Sequence, residues 1–207
     1  MTEIYIIEIN DIEKSNFNSL INFVSDEQKR RLLRFQKFED AKRTLMGDIL
    51  ARYAIFKRTG IHNNNLTFGK NNYGKPFLLG FSGVHFNISH SENWVICAVD
   101  ENSVGIDVEV IKPINIKIAQ RFFAKEEYLS LLKQPEELRL KYFYMIWTIK
   151  ESYIKAVGKG MNIPLNSFKI QIANNKINVD NENDKKKYYI NQSFLDDNTV
   201  SDGTPAV

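Results

Sequence analysis

The chain has 207 residues, of which 43% are hydrophobic and 12% aromatic. This composition argues against a disordered chain and supplies a buried core for one large domain or two small ones. The formal net charge of +3, from 28 basic and 25 acidic residues, excludes a histone-like polycation and an acidic tail protein.

The first half of the chain is predicted to contain a strand, a long helical region and a hairpin. A short Ile/Tyr run interrupted by Glu3 and Glu8 predicts a strand over residues 3–9. Residues 26–59 are predicted to be helical, because Ser25 and Gln28 suit a capping box and Gly60 marks a stop. A turn at 73–76 and strands at 84–88 and 94–99, joined by the polar segment 89–93, complete this half.

The second half is predicted to alternate strands with longer helices. Its predicted strands are 104–110, 168–172 and 188–194, its predicted helices are 116–132 and 138–157, and the polar segment 174–187 is predicted to be a loop.

The chain is expected to be a cytoplasmic protein without disulfides. Cys97 is its single cysteine, and the apolar residues around it predict a buried, inert thiol. No apolar run reaches the length of about 18 residues that a membrane span needs. Residues 1–10 lack the basic region of a signal peptide.

Charge is distributed unevenly. Residues 26–58 contain ten basic and five acidic residues, whereas residues 98–111 contain four acidic residues and no basic one. Such segments in one small fold suggest that an anion and a cation are handled together, as in a metal-bound phosphate. Solvated helix faces are the simpler interpretation.

A weak internal repeat bears on the fold. Residues 34–40 (RFQKFED) and 121–127 (RFFAKEE) each precede a predicted helix, and no Pro/Gly-rich linker divides the chain. We therefore predict an α+β fold of two similar, pseudo-symmetric α/β lobes packed together, residues 1–103 and 104–207. Chance similarity is the alternative explanation.

Residues 104–110 (VGIDVEV) place two acidic side chains on one face of a predicted strand. Asp107 and Glu109 are two residues apart, so their Cα atoms lie roughly 6.6 Å apart at a rise of about 3.3 Å per residue. Neighbouring carboxylates repel one another unless a cation neutralises them. Oxygen ligands favour Mg²⁺ or Mn²⁺ over zinc. A strand with one solvent-facing side is the alternative.

Residues 143–157 form an apolar stripe at helical spacing that includes charged residues. Lys150 falls inside the stripe, Glu151 lies on its border, and Lys155 follows one turn later. Charges on a core-facing stripe need partners or a cleft, and Glu151 near the acidic strand would complete a three-ligand site. A snorkelling Lys150 and a surface Glu151–Lys155 pair are the alternatives.

Residues 86–91 (FNISHS) run from a predicted strand into a polar turn. Its hydroxyls and His90 are suitable donors to phosphate oxygens. An ordinary hairpin turn explains the same residues, and the nucleophile elbow of a serine hydrolase is absent.

Taken in order, these segments resemble the 4′-phosphopantetheinyl transferases of the Sfp type, which are monomeric and two-lobed. The resemblance implies transfer of the 4′-phosphopantetheine arm of coenzyme A to a serine of an apo acyl or peptidyl carrier protein, with release of 3′,5′-ADP. It implies no nucleic-acid or membrane partner. The motifs that carry it are residues 37–48 (KFEDAKRTLMGD), 74–76 (GKP), 86–91 (FNISHS), 105–109 (GIDVE), 122–128 (FFAKEEY) and 147–155 (WTIKESYIK).

The resemblance also implies roles for individual residues. Asp107, Glu109 and Glu151 would bind Mg²⁺, or Mn²⁺. Glu151 or a metal-held water would take the serine proton, and Lys155 would steady or protonate the leaving 3′,5′-ADP. The implied coenzyme A contacts are Arg31, Arg43, Thr44, Lys75, Pro76, Ser89, His90, Lys150 and Lys155, and the carrier protein would dock on residues 112–133, with Phe122 and Phe123.

Two departures from the family pattern matter. Gln28 stands where relatives often place a lysine aimed at the 3′-phosphate, so that contact is expected to be weaker or to move to Lys29 or Arg31. Residues 191–207 are mostly polar, which predicts that the usual last apolar strand is missing or replaced. A catalytically silent homologue that binds coenzyme A or a carrier protein is therefore the alternative function. A nucleic-acid binder is disfavoured because no recognition motif is present.

Overall fold

The computed structural model describes residues 1–173, 176–182, 184 and 186–205. The chain combines α-helices with antiparallel sheets, as the predicted α+β fold does. The α-helices are α1 (Lys14–Leu20), α2 (Asp26–Leu32), α3 (Phe38–Thr59), α4 (Ala119–Phe122), α5 (Lys125–Lys133) and α6 (Glu136–Val157). The strands are β1 (Glu3–Glu8), β2 (Phe68–Lys70), β3 (Pro76–Leu78), β4 (His85–Ser91), β5 (Trp94–Asp100), β6 (Val104–Val110), β7 (Lys169–Ala173), β8 (Lys176–Asp180), β9 (Asn191–Asp196) and β10 (Thr199–Pro205).

The first sheet has the antiparallel order β1-β5-β4, with β5 in the centre. Alternate residues of β5 point to opposite faces. Val95, Cys97 and Val99 join the core that includes α3, and Ile96 and Ala98 pack against β6. The prediction of a buried Cys97 is confirmed, and its apolar neighbours account for it.

The second sheet has the antiparallel order β6-β10-β9, and α6 packs across β6 and β10. The approach of α6 to β6 depends on Gly105. A Cβ atom added there would lie 1.9 Å from the Ser152 carbonyl oxygen and 2.4 Å from the Ala156 nitrogen. A side chain at residue 105 would therefore push α6 away from the strand that carries Asp107 and Glu109.

The two sheets are joined side by side at β4 and β6. The side-chain oxygen of Asn87 accepts a hydrogen bond of 2.9 Å from the Ile106 nitrogen, which ties strands that belong to different ladders. An apolar cluster of Val104, Ile106 and Val108 with Ile96 and Ala98 fills the space behind this junction. The FNISHS and GIDVE motifs therefore lie next to each other.

Most predicted elements are confirmed, including β1, the cap of α2 by the Ser25 hydroxyl, which accepts from the Gln28 nitrogen, and the stop of α3 at Gly60. The predicted polar turn at 89–93 is wrong, because β4 continues through Ser91 and only Glu92 and Asn93 form the turn. Pairing with β5 along its whole length extends β4. The predicted loop at 174–187 is also wrong, because Lys176–Asp180 pairs with β7. Within that range, residues 174–175, 183 and 185 lie outside the described residues.

Of the two predicted alternatives for the last strand, missing or replaced, the structure shows a strand of mostly polar sequence, β10. Strand β10 pairs with β6 from Thr199–Val110 to Pro205–Val104, and it is almost entirely buried. Its polar side chains are accommodated by hydrogen bonds. The Ser152 hydroxyl lies 2.7 Å from the Thr204 hydroxyl and donates to Asp202 Oδ1 at 3.2 Å. None of the described helices is long and apolar enough to cross a membrane.

Candidate active site

Strand β6 presents its acidic residues towards α6 at the junction of the sheets. Asp107 is buried, and its Oδ1 accepts hydrogen bonds from the Ser89 hydroxyl at 2.8 Å and from the Lys155 ammonium at 2.6 Å. Its Oδ2 is buried without a hydrogen-bond partner among the described residues. Glu109 accepts from the Ser91 hydroxyl at 2.8 Å. Residues 89 and 91 therefore act from within β4, not from a turn.

Helix α6 adds a third carboxylate and one cation. Lys155 donates to Ser89 Oγ at 2.9 Å and to the Ile106 carbonyl oxygen at 3.2 Å, in addition to Asp107. Glu151 lies one turn before Lys155 on the same helix. Together these groups border a cavity of about 280 Å³, lined by Ile88, Ser89, His90, Asp107, Glu109, Trp147, Glu151 and Lys155.

Burial and neighbouring carboxylates raise the pKa of two carboxyl groups in this cavity, Glu109 and Glu151. Burial, and next the charge of Asp107, raises the pKa of Glu109 to about 7. Burial and the charge of Asp107 also raise the pKa of Glu151. Among the described residues, Lys155 is the one lysine or arginine that lines this cavity, against three carboxyl groups. This imbalance is expected at a site that receives a further cation.

The described residues contain no group of three or more His, Cys, Asp or Glu side chains arranged to hold a metal ion. The donor set nevertheless fits Mg²⁺ chemically, because all three side chains offer carboxylate oxygens to one cavity. The buried Asp107 Oδ2 has no hydrogen-bond partner among the described residues, so it is available as a ligand atom. In this structure the Lys155 ammonium supplies the positive charge at Asp107.

A second cavity of about 490 Å³ adjoins the first and is rich in cationic groups. Residues Ile88 and His90 line both cavities. Burial lowers the pKa of His90, and the nearby Arg43 and Lys155 charges lower it further. Of the residues implied by the resemblance, Arg31, Arg43, Thr44, Pro76 and His90 line this cavity.

Sequence reasoning missed several residues of this second cavity. Lys70 lines it, as does Arg52, whose guanidinium pairs with Asp48 and stacks 4.8 Å from the Phe68 ring centroid. Gln28, which the family pattern had already indicated, lines it as well. The one available signal was the helical spacing of Arg43, Gly47 and Ala51 along α3, which places these residues on one face.

The structure does not bring Lys150 to either cavity, and the expectation of a nucleotide contact is corrected. The side chain is completely buried, and its ammonium lies 2.9 Å from Glu127 Oε1. It also donates to the carbonyl oxygens of Leu165 and Phe168 at 2.8 and 2.9 Å. None of these three partners lines the cavity that Glu151 lines, and the two carbonyl contacts hold the following loop to the helix.

Lys75 also turns away from the cavity that its neighbours line. Gly74 and Pro76 are among the lining residues. The Lys75 ammonium instead donates to the Val104 carbonyl oxygen at 2.9 Å and to the Ala156 carbonyl oxygen at 3.3 Å. Burial lowers its pKa to about 8. The expected contact from this ammonium to the nucleotide is therefore corrected.

A third cavity, of about 630 Å³, continues from Glu109 and Trp147 towards the segment expected to dock a protein partner. Ile114, Lys117 and Ile118 line it. Phe122 packs edge-on against Trp147 with ring centroids 5.7 Å apart. Phe123 is buried and stacks on Phe143, so it belongs to the core and not to an exposed docking surface.

Comparisons with known proteins cover both halves of the chain. A family model described as "4′-phosphopantetheinyl transferase, N-terminal" matches residues 11–102, and one described as "4′-phosphopantetheinyl transferase superfamily" matches residues 103–201. The 4′-phosphopantetheinyl transferase gsp of Aneurinibacillus migulanus is 43% identical over 196 residues, which cover 94% of this chain and 82% of that protein.

Two further matches are shorter. The 4′-phosphopantetheinyl transferase Sfp of Bacillus subtilis (strain 168) is 44% identical over 152 residues, which cover 73% of this chain and 68% of that protein. Among solved structures, the holo-(acyl-carrier-protein) synthase of Thermotoga maritima overlaps 50% of this chain and 62% of its own, with a TM-score of 0.44 and 21% identity. The sequence matches thus extend over more of this chain than the structural one.

Proposed function

The chain belongs to the 4′-phosphopantetheinyl transferase superfamily, and we propose that its two adjoining cavities form the active site. The reaction transfers the 4′-phosphopantetheine group of coenzyme A to a serine of apo carrier proteins and releases 3′,5′-ADP. The observation that carries this placement is the shared wall formed by Ile88 and His90. A cationic cavity suits the nucleotide phosphates, and a carboxylate cavity suits a metal ion. The comparisons support this activity and not a silent homologue.

We propose that Arg31, Arg43, Thr44 and His90 bind the 3′-phosphate end of coenzyme A, with Pro76 against the base. Arg31 carries no ion pair among residues 1–173, 176–182, 184 and 186–205 and is exposed. Arg43 pairs with Asp40 through one nitrogen. Arginine forks suit phosphate oxygens, and Gln28 lies beside Arg31 without adding a charge. Arg31 is therefore proposed to supply the main 3′-phosphate contact.

Mg²⁺ would be held by Asp107, Glu109 and Glu151, and when bound it would neutralise the diphosphate and polarise the phosphoryl group. Mn²⁺ suits the same oxygen ligands. Lys155, which now neutralises Asp107, is free to move to a phosphate oxygen once coenzyme A enters. There it stabilises charge on the leaving 3′,5′-ADP or protonates it.

Glu151 is proposed to accept the proton of the attacking serine. Burial and the charge of Asp107 raise its pKa in the metal-free protein, which makes this carboxylate a stronger base. Glu151 lies between Trp147 and Lys155 in the carboxylate cavity, and the third cavity leads to the same place past Glu109. The carrier protein is therefore proposed to approach along residues 112–122.

The test of the activity is mass spectrometry of carrier proteins after incubation with coenzyme A, Mg²⁺ and the enzyme. A panel of apo acyl and peptidyl carriers from fatty-acid, polyketide and peptide synthesis also defines the preferred partner. We expect at least one carrier to gain the mass of one phosphopantetheine group, and a chelator to stop the gain. Binding of coenzyme A with no gain on any carrier would favour the silent homologue.

We further propose that residues 1–103 and 104–207 form two lobes, which the meeting of the two family models at residues 102 and 103 supports. A monomeric state and a cytoplasmic location remain predictions. Sedimentation of the purified protein tests the first, and cell fractionation tests the second.

A further inference from the structure

Lys75 lies in the turn of the hairpin formed by β2 and β3 (residues 68–78). This hairpin borders the second cavity, which is proposed to bind the nucleotide and is called the nucleotide cavity below. Gly74 and Pro76, which precede and follow Lys75, line the cavity. Its own side chain leaves the hairpin in another direction and reaches Ser103, Val104 and Ala156. The hairpin is therefore in contact with the nucleotide cavity on one side and with two distant chain segments on the other.

Those two segments are the ends of the elements that carry the carboxylates. Val104 begins β6, three residues before Asp107. Ala156 lies in the last turn of α6, next to Lys155, where carbonyl oxygens lack partners within the helix. A cation at this end is also favoured by the helix dipole. The Ser103 hydroxyl donates to the same Ala156 oxygen at 2.6 Å and completes the cluster.

The Lys75 side chain would be energetically unfavourable if its only role were to close this turn. Burying an ammonium group is unfavourable unless partners compensate for lost water. No carboxylate of the described chain forms an ion pair with Lys75, and all its acceptors are neutral oxygens. A lysine held in this way indicates a requirement for its reach and its three donors.

A second residue of the hairpin strengthens the same connection. Asn71 Oδ1 accepts from the Tyr73 and Lys75 nitrogens at 2.9 Å each, which fixes the turn. Asn71 Nδ2 donates to the Gly158 carbonyl oxygen at 2.8 Å, just past the end of α6. The hairpin is therefore attached to the end of α6 at two points.

We propose that Lys75 is a positioning residue that ties the wall of the nucleotide cavity to β6 and α6, so that seating of the nucleotide and placement of the carboxylates are set together. This inference rests on the proposed function, because it assumes that coenzyme A spans both cavities. Lys75 acts through Gly74 and Pro76 on one side and through Val104 and Ala156 on the other, without touching substrate.

The experiment compares Lys75→Met, which keeps the stem and removes the ammonium, with Lys75→Arg, which restores a cation and its donors. Lys159→Met is the control, because Lys159 is an exposed lysine just beyond α6 without an ion pair in the described chain. Each protein is assayed for kcat, for the KM of coenzyme A, for binding of 3′,5′-ADP by calorimetry, and for its thermal midpoint, all well below that midpoint.

We expect Lys75→Met to lower kcat/KM for coenzyme A at least tenfold, with part of the loss in kcat, and to weaken 3′,5′-ADP binding. Lys75→Arg should recover most of both, and Lys159→Met should stay within twofold of the wild type. A folded Lys75→Met protein with kcat and KM within twofold of the wild type overturns the inference. So does a lowered thermal midpoint with unchanged kinetics.

If Lys75→Met does not fold, Ser103→Ala provides the second test, because it removes the hydroxyl shared by Lys75 and Ala156. We expect its kcat to fall about threefold, and unchanged kinetics would overturn the inference. Failure of the proposed function has a different signature. In that case the wild type itself modifies no carrier protein, whereas failure of the inference leaves wild-type turnover intact.

Discussion

Two lysine–carboxylate pairs on helix α6 lie five residues apart and differ in how fully their charges are satisfied. Lys150 and Glu127 are both buried, and Glu127 accepts further hydrogen bonds from the Ala124 and Ile170 nitrogens at 2.7 Å each. Lys155 is 26% exposed, and its partner Asp107 keeps a buried oxygen without a hydrogen bond. We call Lys150–Glu127 the saturated pair, because its many contacts stabilise the fold. We call Lys155–Asp107 the unsaturated pair, because its unpaired oxygen can still bind a ligand.

The largest expected effect is at the unsaturated pair. Asp107→Ala and Glu151→Ala should each lower turnover about a thousandfold, equivalent to about 4 kcal/mol in the barrier. Thermal midpoints should change little, because relief of carboxylate repulsion offsets the contacts that are lost, such as the Asp107 pair with the partly exposed Lys155. Steady-state kinetics and thermal melts measure the two quantities on the same samples.

Glu137→Ala is the matched control, because Glu137 is exposed, lies outside residues 112–133 and forms no ion pair among the described residues. Its turnover should equal that of the wild type. Turnover that survives both Asp107→Ala and Glu151→Ala would reject the assignment of these carboxylates to a metal ion.

The saturated pair should show the opposite pattern. Glu127→Ala leaves the Lys150 ammonium buried without its carboxylate, and such changes cost about 3–5 kcal/mol of unfolding free energy. Chemical denaturation measures that loss, and kcat below the melting temperature should stay close to wild type. The double variant Glu127→Leu/Lys150→Met should recover part of the stability. A kcat loss as large as that of Asp107→Ala would show that the comparison is wrong.

The contrast between these pairs marks what the sequence could predict. The spacing of Asp107 and Glu109 on a strand, and of Glu151 and Lys155 on a helix, is a local property, so periodicity placed those residues correctly. The role of Lys150 depends on Glu127 and on carbonyl oxygens at residues 165 and 168. These partners are 15 to 23 positions away along the chain, and no local pattern identifies them.

The residues of strand β10 could not be predicted from the sequence for a related reason. Its sequence, TVSDGTP, has little of the apolar alternation that predicts a buried strand, yet Thr199, Asp202 and Thr204 are buried. The hydroxyl of Ser152 on α6 satisfies two of these side chains. A strand whose buried side chains are polar and hydrogen-bonded has no apolar sequence pattern. Strand β10 is therefore recognised only from its pairing with β6.

Asp202 provides a third test of the comparison between the saturated and unsaturated pairs, because it is the partner of Asp107 in the pairing of β10 with β6. Burial raises its pKa well above the ordinary value, and the charge of Asp107 adds to this. Such a group stabilises the fold while protonated and loses that contribution as pH rises towards its folded pKa. Asp202→Asn should raise the thermal midpoint by a few degrees at pH 8, with a smaller gain at pH 5.

Thermal melts of both proteins across this pH range, in the presence of a chelator, measure the difference. Kinetics provide a second measurement. Because Asn keeps an oxygen for the Ser152 hydroxyl, kcat should change less than threefold. A wild type that is more stable than Asp202→Asn at pH 8 would mean that Asp202 is ionised and paired, which would place it with Lys155 and Asp107.

The smallest expected effect concerns Glu109, which lies at the exposed margin of the unsaturated pair. Its pKa is raised to about 7 in the folded protein, first by burial and then by Asp107, so the folded chain holds this proton more tightly than the unfolded chain does. The free energy of unfolding of the metal-free protein should therefore fall as pH rises from about 4.5 to about 7. Glu109→Gln should flatten this part of the profile, and Glu137→Gln, at an exposed position, should leave it unchanged.

Denaturant titrations at each pH measure the slope. If Glu109→Gln keeps the wild-type slope, the carboxylates of this cavity do not repel one another, and the reason for expecting a cation there is lost.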